Sequence, residues 1–368
     1  MHAVCSGFIK STMLMWLHSK RIKLFPLRRH QGRVRAQLVA MQPPREVSRL
    51  PRGLSELRHW KSLEWRAWLL FYSPVILKDN LPARFFRNWM KFVDVMHYLL
   101  GPSISIEKIH IVKKKMRNFV MEYQKLYGER YMSYNAHLLL HLVDSVKEWG
   151  PLWGYSLYPF ESVNGALTKT VCGTRYAELQ IVRKFAIAQA LPRLWQQVSR
   201  KDGGTCISAT FQDLIKGYRL KQMCIQVGSV LLFGKGLRRG SATHFRKMKI
   251  GVYRFCTSSL DRSRRCNSFV AADDIFGRIQ DIFVVCRDGH TRCECPQRGV
   301  SVELELFTVK QSILGVVCQG SSVRFVQVEA SGQSVVVSAR SVTKCVAVGD
   351  GTSTCLFPLT DQVTLEAT

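Results

Sequence analysis

The stretch His137 to Lys169, HLLLHLVDSVKEWGPLWGYSLYPFESVNGALTK, holds most of the residues with chemical potential in this chain. It reads as a helix, a Gly-Pro stop, an aromatic connector and a second helix opening at Pro159-Phe160-Glu161. Glu161 falls in the first turn of that helix, where the macrodipole favours a carboxylate with or without a chemical role. His137 and His141 are four residues apart on the first helix, with Asp144 next on the same face. That spacing can present two imidazoles to a metal. The residues between them are all leucine, so no general base of the zinc-peptidase kind is supplied. The preferred reading is structural: the histidines hydrogen-bond within a bundle or line the groove near Glu161. Trp149, Pro151 and Trp153 of the stop and connector also read as structural.

A second group is Cys286, His290, Cys293 and Cys295, in the loop RDGHTRCECP between two strands. Four thiol or imidazole ligands there suggest zinc, but a separated second Cys-x-x-Cys is missing. Reduced, unpaired cysteines are the preferred reading. Gly234-Lys235-Gly236 is too short for a phosphate loop, and no Walker or Rossmann fingerprint occurs. No Ser or Cys has the spacing of a nucleophile with its base.

These residues are carried by a chain that changes character near residue 200. Before that point the apolar spacing is helical. A helix is expected over Ala3 to Leu17 and a short one over Arg29 to Met41, followed by an extended strap from Gln42 to Leu54 containing three prolines. A densely aromatic helix follows, with Ser62 as its cap and Pro74 as its kink or end. Asn80 is the expected cap of the next, which Gly101 stops. Ser105 to Tyr127 is the clearest amphipathic helix, Asn135 is the expected cap of the His137 helix, and Ala177 to about Ser199 closes the series. After Lys201 the runs Val227 to Phe233, Ile250 to Phe255, Gly277 to Cys286, Val300 to Val309, Ser322 to Val328 and Ser334 to Ala339 are short and β-branched, with turn residues between. The expected fold class is α+β: a helical domain at 1–200, a linker or helix at 201–226, and a small antiparallel β-rich barrel or sandwich at 227–368.

Charge is the compositional outlier. Fifty-four Lys plus Arg against 26 Asp plus Glu give +28 over 368 residues, and the first 45 residues contain no acid. A polyanion such as DNA is the natural partner of that surplus, because each neutralised phosphate releases a counterion. Arg28, Arg29, Lys113, Lys114, Lys115 and Lys169 are the candidate phosphate contacts, with Arg262 to Arg265 a further basic run. Each run taken singly also reads as a solvated patch. No apolar run reaches the ~18 residues of a membrane helix. Lys10 interrupts the apolar N-terminal stretch and basic residues follow it, the wrong order for a signal peptide. Twelve cysteines without such a signal suggest an intracellular, reduced chain, and the charge suggests a nuclear one.

Leu50 to Ser73 and Asn135 to Gln180 resemble transposases of the CACTA (En/Spm) type, more closely the transposon-derived domains of animal genomes. The resemblance rests on the His-x-x-x-His helix, Gly-Pro-Leu-Trp, Tyr-Pro-Phe-Glu and the Gly and basic residues after it, with Met1-His2 and its apolar helix also fitting. Asp94-Val95-Met96-His97 spells a motif that opens the first helix in that family, but it falls inside the expected insertion and reads as chance. The resemblance implies an RNase H-like nuclease with a helical insertion, and it assigns Glu161 as the last of three metal-holding carboxylates. Two magnesium ions held by that trio would activate the attacking oxygen and steady the leaving one. The two aspartates would stand upstream of Met1. The expectation is therefore a catalytically inactive, transposase-derived protein that binds nucleic acid without sequence preference, has no cofactor, and lacks the parent sheet. Magnesium belongs to the complete parent enzyme. If the sheet is lost, the apolar faces of Ala3–Leu17 and Glu161–Val171 should be uncovered. The alternatives are a protein-interaction scaffold using the β-rich domain, and an incomplete piece of a magnesium-dependent DDE-type enzyme.

Overall fold

A computed structural model describes residues 1–18, 26–47, 49–101, 103–201, 224–234, 236–240, 242–262, 264–285, 299–312, 325–349 and 354–359. The chain is mixed helix and sheet, with the helices N-terminal and an antiparallel β-rich part C-terminal. It divides into two compact units. The larger joins Met1–Ser156 to Gln226–Ala367, and the smaller is Leu157–Ile225. This grouping differs from a boundary near residue 200, because the helices before Ser156 share one apolar core with the β-rich part.

In the larger unit a π-helical stretch, Ala3–Ile9, runs into α1, Lys10–His18. Val4, Phe8, Ile9, Met13, Trp16 and Leu17 are all buried, so the face expected to be uncovered is covered. Gly7 has a packing reason: a Cβ there would lie 2.6 Å from the Asn135 side chain. Next come α2 (Gln31–Ala40), α3 (Ser62–Ala67), a π-helical stretch Trp68–Tyr72, and α4 (Ser73–Lys78). Pro74 follows the π-helical stretch inside one continuous helical run, and the carbonyls of the preceding turn are met by side chains instead, Leu69 O by Ser73 Oγ at 3.0 Å and Leu70 O by His97 Nε2 at 3.0 Å. The long pair α5 (Ala83–Leu99) and α6 (Ile106–Tyr127) carries the aromatic centre. Phe92 and Phe119 stack at 4.9 Å, and Phe8 meets both rings edge-on at 5.4 and 5.8 Å. Burying each such ring contributes roughly 1.5–3 kcal/mol. Gly128, at φ +91°, ends α6. The short helices α7 (Tyr134–Leu138) and α8 (Leu142–Trp149) follow, and Gly150 at φ +82° stops the second.

Three expected caps are different residues. Lys61 precedes α3, and Glu64 reaches back to its backbone N–H. Pro82 precedes α5, while Asn80 is buried and donates to Gln37 Oε1 and to the Ile76 carbonyl. Ser133 caps α7 by accepting from the Ala136 N–H.

The expected β-rich region resolves into more strands than the apolar runs suggest. The elements are β1 (Cys224–Val227), β2 (Val230–Phe233), β3 (Leu237–Arg239), β4 (Ala242–Phe245), β5 (Lys247–Ile250), β6 (Tyr253–Cys256), β7 (Phe269–Ala272), β8 (Ile275–Val285), β9 (Gly299–Ser312), β10 (Val326–Ser338), β11 (Val342–Gly349) and β12 (Thr354–Pro358). One sheet closes on itself: β8-β7-β11-β12-β10-β9 returns to β8, a six-stranded barrel, and the β3-β4 hairpin extends β8. Phe269, Phe276, Phe307, Val326, Cys345 and Leu356 draw on all six strands and form its interior. Alternate residues of the same strands, such as Val270, Val346 and Phe357, belong to the core shared with the helices. Strands β7, β11 and β12 are thus buried on both faces. Gly277 leaves room for the neighbouring strand, since a Cβ there would meet Glu305 O at 2.9 Å. A second sheet has the order β1-β2-β5-β6.

The smaller unit contains α9 (Tyr158–Thr168) and α10 (Ala177–Lys201). Their connection is clamped from α10: Lys184 Nζ donates to Thr170 O at 2.6 Å and to Cys172 Sγ at 2.9 Å, and Gln180 accepts from the Cys172 N–H. Apolar side chains stand exposed along both helices, among them Phe160, Val163, Leu179, Val182 and Phe185.

Candidate nucleic-acid interface

Three groups of basic residues have different surroundings. In the first, Leu27 is buried and anchors a 3-10 turn, Pro26–His30, which hands Arg28, Arg29 and His30 to solvent. The chain continues into α2, where Val34 and Leu38 are buried while Arg33 and Arg35 are exposed. Neither helical turn contains an acid at its start. Arg33 lies 3.6 Å from Asp79, and both are more than one-third exposed.

The second group is the lysine run of α6. Val112 and Met116 face the core, so Lys113 and Lys115 flank the buried stripe and Lys114 points away. Lys113 meets Asp144 of α8 at 2.5 Å, and Lys115 meets the buried Asp94 of α5 at 2.8 Å. Two of the three lysines therefore join helices of the fold, while Lys113 and Lys114 are both exposed. The Asp144 carboxylate is aimed at Lys113, which leaves the histidine pair without it.

The third group was not among the expected contacts. Across β2, β5 and β6 the register aligns Phe233 with Lys247, and Leu231 with Lys249 and then Arg254. The intervening row Leu232, Met248 and Phe255 is buried. Strand alternation thus puts Lys247, Lys249 and Arg254 on one face with Leu231, Phe233 and the buried Cys256. The spacing Lys-x-Lys in a four-residue strand was the available signal. The Arg262–Arg265 run does something else: Arg264 donates to Pro51 O at 3.0 Å and Arg265 to Pro44 O at 2.6 Å, so both fasten the proline strap.

Glu161 lies exposed in the first turn of α9, in the smaller unit, and Lys169 at the end of that helix is exposed as well. His137 and His141 bring their Nε2 atoms to 3.2 Å, one donating and the other accepting, on an exposed face. The Trp153 indole N–H donates to Gly101 O at 3.1 Å. Pro151 is half-buried, whereas Trp149 is 74% exposed. Cys286, His290, Cys293 and Cys295 lie outside the described residues. Among the described residues, no three His, Cys, Asp or Glu side chains are placed to hold a metal ion. No helix among them is long and apolar enough to cross a membrane.

Two buried polar centres support the third basic group. Asp261 accepts from Cys266 Sγ (2.8 Å), the Asn267 N–H (2.7 Å), Ser268 Oγ and Arg278 (3.2 Å). Burial, reinforced by that carboxylate, pushes the Cys266 thiol up to about 12. The fully buried Lys344 ammonium donates to the carbonyls of Arg254 and Asn267 and sits 4.7 Å over the Phe255 ring. Burial lowers its pKa from the ordinary lysine value. Comparison of the chain with protein-family models, with curated proteins and with solved structures finds no match.

Proposed function

We propose that this chain binds nucleic acid through sequence-independent phosphate contacts. In keeping with its resemblance to CACTA-type transposases, it would be a transposase-derived protein acting in the nucleus. The observation that carries the reading is the exposed series Arg28, Arg29, His30, Arg33 and Arg35 in a chain of net charge +28, with Asp79 the one acid paired to it among the described residues. Exposed cations of that density attract a polyanion over a Debye length and release its counterions on contact. The reading includes no cleavage by this chain. The resemblance assigns one carboxylate here, Glu161, and a lone carboxylate does not hold two hard cations against water.

Charge reversal tests it. The quadruple variant R28E/R29E/R33E/R35E changes exposed side chains, so its thermal midpoint should stay close to that of the parent. Its affinity for a 20-base-pair duplex at 50 mM salt should fall at least about tenfold. An unchanged affinity would remove this surface from the account.

A further inference from the structure

We infer that His137 and His141 form a binding site for a transition-metal dication of the zinc and nickel class; this goes beyond the polyanion reading above and does not depend on it. The two rings project from one run of chain: α7, a 3-10 turn at Leu139–His141, and then α8. Ala136, Leu139, Val143 and Val146 of that run are buried, so the core holds the backbone that carries the rings. Ser133 caps the start of the run, and Ser145 Oγ donates to His141 O at 3.1 Å. Both histidines are exposed. An ion can therefore reach from solvent a pair that is fixed from behind.

The distance between the two nitrogens carries the assignment. The Nε2 atoms stand 3.2 Å apart, with the ring centroids 4.9 Å apart and the ring planes at 70°. Two imidazole nitrogens held on one zinc at ~2.05 Å and at the tetrahedral angle are about 3.3 Å apart. The pair thus already has nearly the spacing that a single ion requires. Among the described residues each ring is hydrogen-bonded to the other alone. The donating ring can move its proton from Nε2 to Nδ1, which leaves both Nε2 lone pairs for the metal with no proton gained or lost. A turn of each exposed ring about its broad terminal torsion then aims the two lone pairs at a common point.

The donor set decides the kind of ion. Imidazole nitrogen suits zinc, nickel and copper, whereas magnesium takes oxygen ligands. Asp144, the next acid on that face, is paired with Lys113 at 2.5 Å. The chain therefore supplies two neutral nitrogens and leaves the remaining positions to water or to a donor from outside the chain. Closed structural zinc sites use four protein ligands, so a site of two is an exchangeable one.

The test is isothermal titration calorimetry of the full chain with nickel(II), in buffer without chelator, repeated for the single variants His137→Ala, His141→Ala and His110→Ala. His110 is also exposed and serves as the control. The parent and His110→Ala should show a site whose affinity falls at least about tenfold in each of the other two variants. Nickel bound elsewhere, by cysteines for example, is common to all four proteins and cancels in the comparison. Magnesium at the same concentration should give no such site. His137→Gln keeps a polar side chain without a ring nitrogen. It should lose the site equally with an unchanged metal-free thermal midpoint, which separates a lost ligand from lost folding. Equal titrations of the parent, His137→Ala and His141→Ala would overturn the site. Loss in only one of the two would overturn it as well, because it would show a contact with a single ligand. Either result leaves the nucleic-acid reading untouched.

Discussion

His97 of α5 donates from Nε2 to the carbonyl oxygen of Leu70 at 3.0 Å, and its ring packs 5.0 Å from Phe357 of the barrel. One imidazole therefore sits where the helices and the β-rich part share their core, with Phe71 and Phe325 also against it. Burial, the largest influence on it, holds its pKa down to about 4.

Acid sensitivity follows from that shift. The unfolded chain takes up the proton near the ordinary value of 6.5, and the folded chain only near 4. Between those values the unfolded state binds more protons. His97's contribution is intact above about pH 6.5 and is lost as pH falls toward 4, by ~3 kcal/mol in total. Urea unfolding at pH 7 and pH 4.5 should show the loss, and His97→Gln should flatten the difference. An equally steep pH dependence in the variant would contradict the assignment.

A shared core should melt as one. Phe357→Ala removes a ring that touches Phe71, His97 and Phe325, and it should cost about 3–5 kcal/mol. The helical circular dichroism signal and a barrel probe should shift together. Two separated transitions, with only the barrel affected, would show that the helices and the barrel fold independently.

The close approach at Gly7 gives a paired prediction. Gly7→Ala places a methyl group 2.6 Å from the Asn135 side chain and should destabilise the chain by about 1–3 kcal/mol. Adding Asn135→Ala should recover much of the loss. Full additivity of the two single effects would mean that they do not meet.

In the smaller unit, exposed Val182 and Phe185 on α10 should make the chain self-associate in low-salt buffer. Val182→Glu with Phe185→Glu should reduce sedimentation of the protein without moving the main thermal transition. Unchanged sedimentation would show that this stripe does not drive association.

Element types before residue 200 were readable because the aromatic and aliphatic spacing is helical and the stops at Gly128 and Gly150 are glycines with positive φ. The caps were less readable. Ser62, Asn80 and Asn135 have suitable side chains, but tertiary partners decided their use, as with Asn80 buried against Gln37. Strands β7 and β12 were missed because FVAA and TCLFP are buried on both faces and so lack alternation. The domain boundary was drawn from composition, which cannot reveal that Val346 and Phe357 pack into the helical core. Among the basic residues, Arg28 and Arg29 are exposed. Lys113 and Lys115 are tied to Asp144 and Asp94, acids distant in sequence, and composition carries no trace of such pairing.

Glu161 separates a binder from a nuclease. Purified chain should leave supercoiled plasmid intact in magnesium, and Glu161→Gln should change nothing. Magnesium-dependent nicking that disappears in Glu161→Gln would show that this chain completes a metal site.

The binding affinity of the full chain for a 20-mer measured from 50 to 300 mM salt tests the central claim most directly. If phosphate contacts dominate, log K falls linearly with log salt, with a slope of about −4 to −7 for some five to eight neutralised phosphates. A slope near zero, or no binding at the lowest salt, would contradict a polyanion partner.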